Sequence, residues 1–411
     1  MRRALIAGSD ESDEGVENGT VNSTGNSYST MPRTPLFCCL LGALYFCLAI
    51  GTAIGSTAFP ETVSIGVCAK GSKGCKPTDS SLRFLLIGDT GGLPIYPYTT
   101  IAQGTVRDTM IKVVEEKKVQ LVLNAGDNVY FTGVVNEFDA RFETSFEDVY
   151  SHPTFDGIPF FTIAGNHDHF GNVSAQIAYT KYSRKWMFPD YWYKFNYTLN
   201  DGTTIDFVMI DTIILCGNTA DVEYGSVWDL LWKGNKVPDG PKNASVAEKQ
   251  WEWIAQTLNQ SRADYLFVGG HYPVYSMSSH GPTQCLVERL KPLLERFHVS
   301  ATFKPTSPDG ASINYIISGA ASRTDRSNKH KDYIPAGSLK FNYPTGWNPI
   351  SQLGFSRGAF IYTEINAQRA HFEFKKGDGE TKYVHDIPPR SAKTKTVTVP
   401  RQEVPSKMIE L

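Results

Sequence analysis

Runs of apolar residues alternate along this chain with segments whose apolar positions recur at helical spacing. Continuous apolar runs indicate strands that are buried on both faces of a sheet. The predicted strands are Leu82–Ile87, Val119–Asn124, Ile158–Ile163, Ile205–Ile210, Tyr265–Val268, Ile313–Ile317, Gly358–Ile365 and Ala370–Lys375. Helices are predicted at Ile101–Val114, at Glu288–Phe297 and after Ser245, where Ser245 and Glu248 match a capping box. The pattern predicts an α/β fold, a sandwich of two mixed β-sheets flanked by helices.

The ends of the chain differ from this folded part. Residues 1–35 are polar without an apolar period, and we interpret them as a disordered segment. Residues 36–59 form an uncharged, mainly apolar run that is long enough to span a bilayer as a signal-anchor. A cleaved signal peptide is the alternative, because Ser56–Ala58 resembles a cleavage site. Residues 60–80 follow as a linker, 81–386 as the catalytic domain and 387–411 as a loose polar tail.

Both interpretations of the apolar run send the folded part into the secretory pathway. A type II membrane protein in a lumenal, extracellular or lysosomal location is expected, with secretion as the alternative. Beyond the run lie four cysteines, an even number that favours disulfides, most simply Cys68–Cys75 and Cys216–Cys285. Possible N-glycan acceptors on the same side of the membrane are Asn172, Asn196, Asn243 and Asn259.

The composition of the chain limits the classes of function that it can have. The net charge is −2 with 20% charged residues, so the chain has no basic footprint of the kind that nucleic-acid binding requires. With 41% hydrophobic residues it is a globular protein. Its aspartates and histidines sit among glycines, and this indicates chemistry at a defined site.

Four predicted strands end in glycine followed by a side chain that can bind metal. The four segments are Gly88-Asp89, Gly126-Asp127-Asn128-Val129-Tyr130, Gly165-Asn166-His167-Asp168 and Gly269-Gly270-His271. Loops at the carboxyl ends of strands are where ligands collect in open sheets, so we expect these loops to converge. Carboxylate, amide and imidazole groups suit iron, zinc or manganese, and one carboxylate such as Asp127 can bridge two ions.

At these residues the sequence resembles the purple acid phosphatases of the tartrate-resistant type, within the calcineurin-like metallophosphoesterases. The resemblance extends roughly from Phe84 to Tyr383 and includes Gly165-Asn-His-Asp-His-Phe-Gly and Gly270-His-Tyr-Pro-Val-Tyr-Ser. It implies hydrolysis of phosphate monoesters, of small molecules or phosphoproteins, at a dinuclear site of iron(III) and a divalent iron, zinc or manganese. It also matches Cys216 and Cys285 to the family's disulfide.

The resemblance assigns a role to each site residue. Asp89 and Tyr130 would bind iron(III), Asp127 would bridge, and Asn166 and His271 would bind the divalent ion. His167 and His280 would hold the phosphate and protonate the leaving group.

One part of the family pattern is absent from the sequence. The family places a strand and a Gly-His-Asp-His loop after the helix that matches Glu288–Phe297, and the two histidines supply one ligand to each ion. Here Phe303 runs directly into Lys304-Pro-Thr-Ser-Pro-Asp-Gly310. Asp309 is a conceivable substitute ligand, but Pro-Asp-Gly favours a turn. His298, His330, His371 and His385 lie in segments that are not expected to reach the centre.

Two functional hypotheses follow. The first is an acid phosphatase whose activity the missing loop impairs. The second is a catalytically inactive membrane glycoprotein that keeps the phosphatase fold as an interaction surface.

Overall fold

The apolar runs of the sequence form the central strands of two sheets. The computed structural model describes residues 62–64, 78–219, 237–302, 313–343 and 348–390, and these belong to one compact unit. In chain order the strands are β1 (Thr62–Ser64), β2 (Leu82–Ile87), β3 (Leu121–Asn124), β4 (Phe160–Thr162), β5 (Trp186–Met187), β6 (Tyr193–Thr198), β7 (Thr204–Met209), β8 (Tyr265–Gly269), β9 (Ala301–Thr302), β10 (Asn314–Tyr315), β11 (Ala359–Ile365), β12 (Ala370–Lys376) and β13 (Thr381–Ile387).

Both sheets are mixed. The first has the order β13-β12-β11-β2-β3-β4-β5, in which β2 to β5 are parallel and β11 to β13 are antiparallel to their neighbours. The second has the order β1-β6-β7-β8-β9-β10, in which only the β6–β7 pair is antiparallel among the described strands. The parallel strands put several carboxyl ends on one edge, and this arrangement positions the site.

Aromatic side chains fill the space between the sheets. Phe161 stacks on Phe195 with ring centroids 4.3 Å apart, and Phe84 meets Phe207 edge-on at 5.7 Å. These four rings are fully buried. Burying a phenylalanine contributes about 1.5–3 kcal/mol, so this layer is a main source of stability. The predicted sandwich of two mixed sheets is confirmed.

Helices cover the outer faces of the sheets. They are α1 (Ile101–Lys117), α2 (Val173–Tyr179), α3 (Thr212–Cys216), α4 (Ala244–Gln260) and α5 (Lys291–Arg296). Helix α1 begins at Thr100, whose hydroxyl accepts a hydrogen bond from the Gln103 amide. It packs on the first sheet through Val106 and Met110. A π-helical turn at Leu286–Leu290 precedes α5, and the helical region begins at Gln284, four residues earlier than predicted.

The helix start predicted from a capping box at Ser245 is wrong. The cap of α4 is Asn243, whose side-chain oxygen accepts hydrogen bonds from the amides of Ser245 and Val246. Ser245 lies in the first turn and donates its hydroxyl to the same oxygen. Asparagine is at least as good a cap as serine, so the acceptor that comes first in the chain starts the helix. The predicted apolar face is present, with Trp251 and Ile254 buried.

The predicted boundary between domain and tail, at residues 386 and 387, falls inside β13. This strand continues to Ile387, and the chain stays packed as far as Arg390. The amide of Arg390 donates to the Asp264 carbonyl at 2.7 Å, and its guanidinium donates to the Ala263 and Phe297 carbonyls. Buried carbonyl acceptors therefore hold a segment whose polar sequence predicts a loose tail.

The predicted membrane span at 36–59, the Cys68–Cys75 pair and Asp309 lie outside the described residues. Within the described ranges, no helix has the length and apolar character needed to cross a membrane.

Candidate metal centre

The loops that follow β2, β3, β4 and β8 meet at one end of the sandwich. A cavity of about 390 Å³ opens there, and all seven site residues predicted from the sequence line it: Asp89, Asp127, Tyr130, Asn166, His167, His271 and His280. The strand, glycine and ligand arrangement therefore brings together side chains that are up to 191 positions apart in the sequence.

The backbone at two of these residues is strained. Asp89 and Asp127 have φ values of 58° and 56°, in the left-handed region that non-glycine residues seldom adopt. The Asp89 amide donates to the Gly126 carbonyl at 2.9 Å, so the two loops hold each other. A Cβ atom at Gly165 would lie 2.2 Å from the Asp127 carboxylate. Only glycine permits the third loop to approach this closely.

One half of the site is a phenol–carboxylate pair. The Tyr130 hydroxyl donates to Asp89 Oδ1 at 2.7 Å, and the tyrosine is almost fully buried. Burial, reinforced by the charges of Asp127 and Asp89, raises the pKa of Tyr130. The phenol therefore keeps its proton in the metal-free protein, and a bound cation would have to displace that proton.

The other half of the site is an imidazole surrounded by oxygen atoms. His271 Nδ1 lies 2.9 Å from the Ala125 carbonyl, to which it donates. Its Nε2 lies 3.0 Å from Asn166 Oδ1 and 3.4 Å from Asp127 Oδ1. The Asn166 amide group donates to the Thr219 hydroxyl, and this orients its oxygen inward. The imidazole nitrogen and the two oxygens therefore converge on one point of the site.

Asp127 lies between the two halves. Its carboxylate accepts the His167 amide at 3.1 Å, approaches His271 and interacts with the Tyr130 hydroxyl. Burial acts to raise its pKa, but the charges of His271 and His167 and the hydrogen bonds from His167 and Tyr130 prevail and lower it to about 2. Asp127 is thus a carboxylate in position to contact both halves.

The donors fall into two neighbouring groups, each of which offers an ion few protein ligands. Among the described residues, no three His, Cys, Asp or Glu side chains are grouped closely enough to hold one ion. Binding therefore depends on Tyr130 and Asn166 as well as on the acidic and imidazole groups. With Asp127 shared, each ion would have three protein ligands.

The two histidines proposed for substrate lie on the same cavity wall. His167 Nδ1 donates to the Phe131 carbonyl at 2.7 Å, and its ring meets the edge of Tyr130. His280 is half-buried and follows Ser279, whose amide donates to Asp325. His330 Nδ1 donates to the Ser278 carbonyl at 2.6 Å and fixes the same loop.

Asp168 is a buried acidic residue for which the sequence analysis predicts no role. Its carboxylate accepts hydrogen bonds from the amides of Gly165, Asn128 and Val129 and from the Gln176 side chain. Burial and the charge of Asp127 raise its pKa. The aspartate ties the loops after β3 and β4 together. Its place in Gly165-Asn-His-Asp168 is the only sequence signal, and that signal gives no partner.

The remaining histidines differ in position. His298 is exposed, and His371 pairs with Asp386 on the surface. His385 lines the far end of the cavity and bonds to the Asn314 side chain at 2.8 Å. The predicted Cys216–Cys285 disulfide is confirmed, with Cα atoms 5.8 Å apart.

Comparisons with known proteins agree on one family. The calcineurin-like phosphoesterase family matches residues 82–303. Tartrate-resistant acid phosphatase type 5 of Homo sapiens is 35% identical over 318 residues, which cover 76% of this chain and 92% of that protein. The Rattus norvegicus protein of the same name is 34% identical over 323 residues, 77% of this chain and 93% of the relative. Purple acid phosphatase 7 of Arabidopsis thaliana is 27% identical over 303 residues, 72% and 86% of the two chains.

A solved structure described as GAP50, the anchor in the inner membrane complex of Plasmodium, is similar in fold. Its TM-score is 0.59 at 22% identity, and the match covers 77% of this chain and 91% of that one. At this identity the likeness concerns the fold alone.

Proposed function

Because this chain belongs to the calcineurin-like phosphoesterases, and within them to the tartrate-resistant purple acid phosphatases, we propose that it hydrolyses phosphate monoesters in its loop-lined cavity. The observation that carries the proposal is the convergence of His271, Asn166 and Asp127 beside the Tyr130–Asp89 pair. Such a donor set suits two cations that share Asp127.

The residues that would hold the ions are those predicted from the sequence. Asp89 and Tyr130 would bind iron(III), Asn166 and His271 would bind divalent iron, zinc or manganese, and Asp127 would serve both. When bound, such ions activate water and stabilise the charge on phosphate oxygens.

The chain's own side chains supply the proton chemistry. His280 stands on a wall of the cavity that solvent reaches, and His167 is held by the Phe131 carbonyl beside Tyr130. Either imidazole can give a proton to the departing alkoxide, as a general acid does.

An assay with p-nitrophenyl phosphate tests the proposal. The chain, supplied with iron and zinc, should release p-nitrophenol, and Asp127→Ala should abolish this activity because it removes the shared ligand. Metal content is measured on both proteins. Bound metal without hydrolysis would contradict the proposal and favour the second function.

The second candidate is a catalytically inactive membrane glycoprotein that keeps the fold as an interaction surface. The absence of the Gly-His-Asp-His loop from the sequence favours it. The fold neighbour's name describes that protein as an anchor, a role that does not require hydrolysis.

We also propose that the folded part lies in the secretory lumen or outside the cell, attached by a signal-anchor at 36–59 or released after cleavage there. The Cys216–Cys285 disulfide supports this location, since such bonds persist in oxidising compartments. Glycans are proposed at Asn172, Asn196, Asn243 and Asn259. Digestion with an N-glycanase should increase gel mobility, and protease protection in microsomes should separate the anchored form from the secreted one.

A further inference from the structure

Arg323 is a buried cation inside the cavity that the proposed function does not use. It is 9% exposed and lines the cavity together with Asp89, Asp127 and Tyr130. A buried arginine is rare unless its charge is compensated, so its surroundings indicate what it does.

The guanidinium of Arg323 packs against two aromatic rings. Its Cζ lies 3.5 Å from the ring centroid of Tyr130 and 5.0 Å from that of Phe131. A stacked guanidinium uses its face for the rings and keeps its N–H edges for hydrogen bonds. One Nη2 edge donates to the Gly92 carbonyl at 3.1 Å.

Another edge lacks an acceptor. Nε of Arg323 is buried, and among the described residues no atom accepts a hydrogen bond from it. A buried donor without a partner costs about 1–3 kcal/mol, and a charged donor costs more. The guanidinium to which this donor belongs lines the cavity, where an anion would meet its positive charge.

The backbone that carries Arg323 is fixed against the metal-ligand loop. The Ser322 amide and hydroxyl both donate to the Asp89 carbonyl, at 3.0 and 2.6 Å. On the other side of Arg323, the Thr324 amide donates to the Ser351 carbonyl. The guanidinium is therefore held in place before any ligand arrives.

We propose that Arg323 is an anion-binding residue that contacts the oxygens of phosphate or of a phosphoryl group in this cavity. The choice of phosphate rests on the proposed function. A guanidinium that stacks on aromatic rings keeps its planar fork of N–H donors for phosphate oxygens. Where each ion has few protein ligands, a fixed guanidinium supplies positive charge that the metals alone would otherwise provide.

Calorimetric titration of inorganic phosphate into the metal-loaded full-length protein tests this proposal. Arg323→Gln should weaken phosphate binding about 10- to 100-fold, the range for loss of a charge-assisted hydrogen bond. Arg323→Lys should weaken phosphate binding less, because lysine keeps the positive charge but lacks the planar set of N–H donors of the guanidinium. Arg369→Gln is the matched control, since Arg369 is exposed and pairs with Asp386 away from the cavity. Its affinity should equal that of the unmodified chain.

The outcomes separate this inference from the proposed function. Metal content is measured for every variant and should stay constant; a parallel loss of metal and phosphate would overturn the assignment. If Arg323→Gln and Arg323→Lys both bind phosphate with an affinity within twofold of that of the unmodified chain, Arg323 is not an anion-binding residue. This holds whether or not the chain hydrolyses esters. If the Gln variant does not fold, the Lys variant decides by the same criterion. If phosphate binding depends on Arg323 but the chain does not hydrolyse esters, the inference about Arg323 holds and the proposed phosphatase function is contradicted.

Discussion

At the scale of single residues, His271 shows how the site is prepared for a cation. Its Nδ1 is committed to the Ala125 carbonyl, and its Nε2 faces the oxygens of Asn166 and Asp127. These groups repel one another unless a proton or a metal ion lies between them. A metal ion bound there would take the place of that proton between the imidazole nitrogen and the two oxygens.

Metal should accordingly stabilise the folded protein. We expect added zinc to raise the melting temperature, by the equivalent of about 2.7 kcal/mol when free zinc is 100 times its dissociation constant. His271→Ala should lose most of this increase, whereas His298→Ala should keep it because His298 is exposed and is not among the residues that line the cavity. Thermal unfolding with and without a chelator measures both effects. An equal zinc response in the two variants would show that His271 is not a ligand.

Tyr130 allows an optical test of the iron position. Iron(III) bound to its phenolate should give the purple charge-transfer absorption that the family resemblance implies. Tyr130→Phe keeps the ring that carries Arg323 but removes the oxygen, so the iron-loaded variant should be colourless. Tyr150→Phe is the control, because Tyr150 is buried in the core and does not line the cavity. Visible spectra of the iron-loaded proteins decide the question; persistent colour in Tyr130→Phe would reject the assignment.

At the scale of elements, the site is a set of loops that the sheet edge brings together and Asp168 joins. The loops after β3 and β4 supply the amides that bond to Asp168. Because these strands are parallel neighbours, their loops begin side by side, and the Asp168 carboxylate joins them just beyond the last paired strand residues. A change that disorders the loops should therefore also alter the distances between the proposed ligands.

Replacing Asp168 with asparagine should disturb both loops. The amide nitrogen would face backbone N–H donors that the carboxylate now satisfies, so we expect a loss of stability of about 2–4 kcal/mol and weaker metal binding. Asp156→Asn is the control, since Asp156 is exposed. Urea unfolding and zinc titration measure the two effects. A stability change below about 0.5 kcal/mol, typical of a surface substitution, would contradict the role given to Asp168.

The sequence predicts the strands that are buried on both faces better than the others. Apolar runs reveal β2, β3, β4, β7 and β8, and the loops after four of these strands, β2, β3, β4 and β8, carry the site. Strand β6 alternates between buried and half-exposed residues and has no continuous apolar run, so it was missed. Strands β5 and β9 have two residues each, too few to show a period, whereas β10, also of two residues, lies inside the predicted strand Ile313–Ile317. Strand β13 is mostly exposed and reads as polar.

The convergence of Asp89, Asp127, Asn166 and His271 in one cavity could be predicted because each follows a strand and a glycine, which is a local signal. Arg323 and Asp168 could not be given roles in this way. The partners of Arg323 are Tyr130 and Gly92, which are distant in sequence, and Asp168 meets Asn128 through the pairing of two strands. Their functions exist only in the folded protein.

At the scale of the whole molecule, the Gly-His-Asp-His loop that the sequence lacks is the part of the family pattern that bears on metal occupancy. We expect the chain as written to bind fewer than two ions and to hydrolyse p-nitrophenyl phosphate far more slowly than a version with this loop inserted after Phe303. Three protein ligands per ion become four when each inserted imidazole is added. An insertion of Gly-Ala-Asp-Ala is the matched control for length. Elemental analysis and initial rates compare the three proteins.

The result would decide between the two functions. Gain of metal and rate in the histidine version alone would identify the loop as the element that the chain lacks. Two ions and rapid turnover in the chain as written would refute the prediction and show that water or another side chain completes the coordination.

The packing of Arg390 has a practical consequence for anyone who handles this protein. Arg390 bonds to the residues just ahead of β8, whereas His271 follows the other end of that strand. Five strand residues separate the two points by about 16 Å. An affinity tag or a surface tether added after Arg390 therefore starts from the end of β8 opposite His271. We expect immobilisation at this point to leave the proposed metal ligands at the end of the strand that is farther from the support.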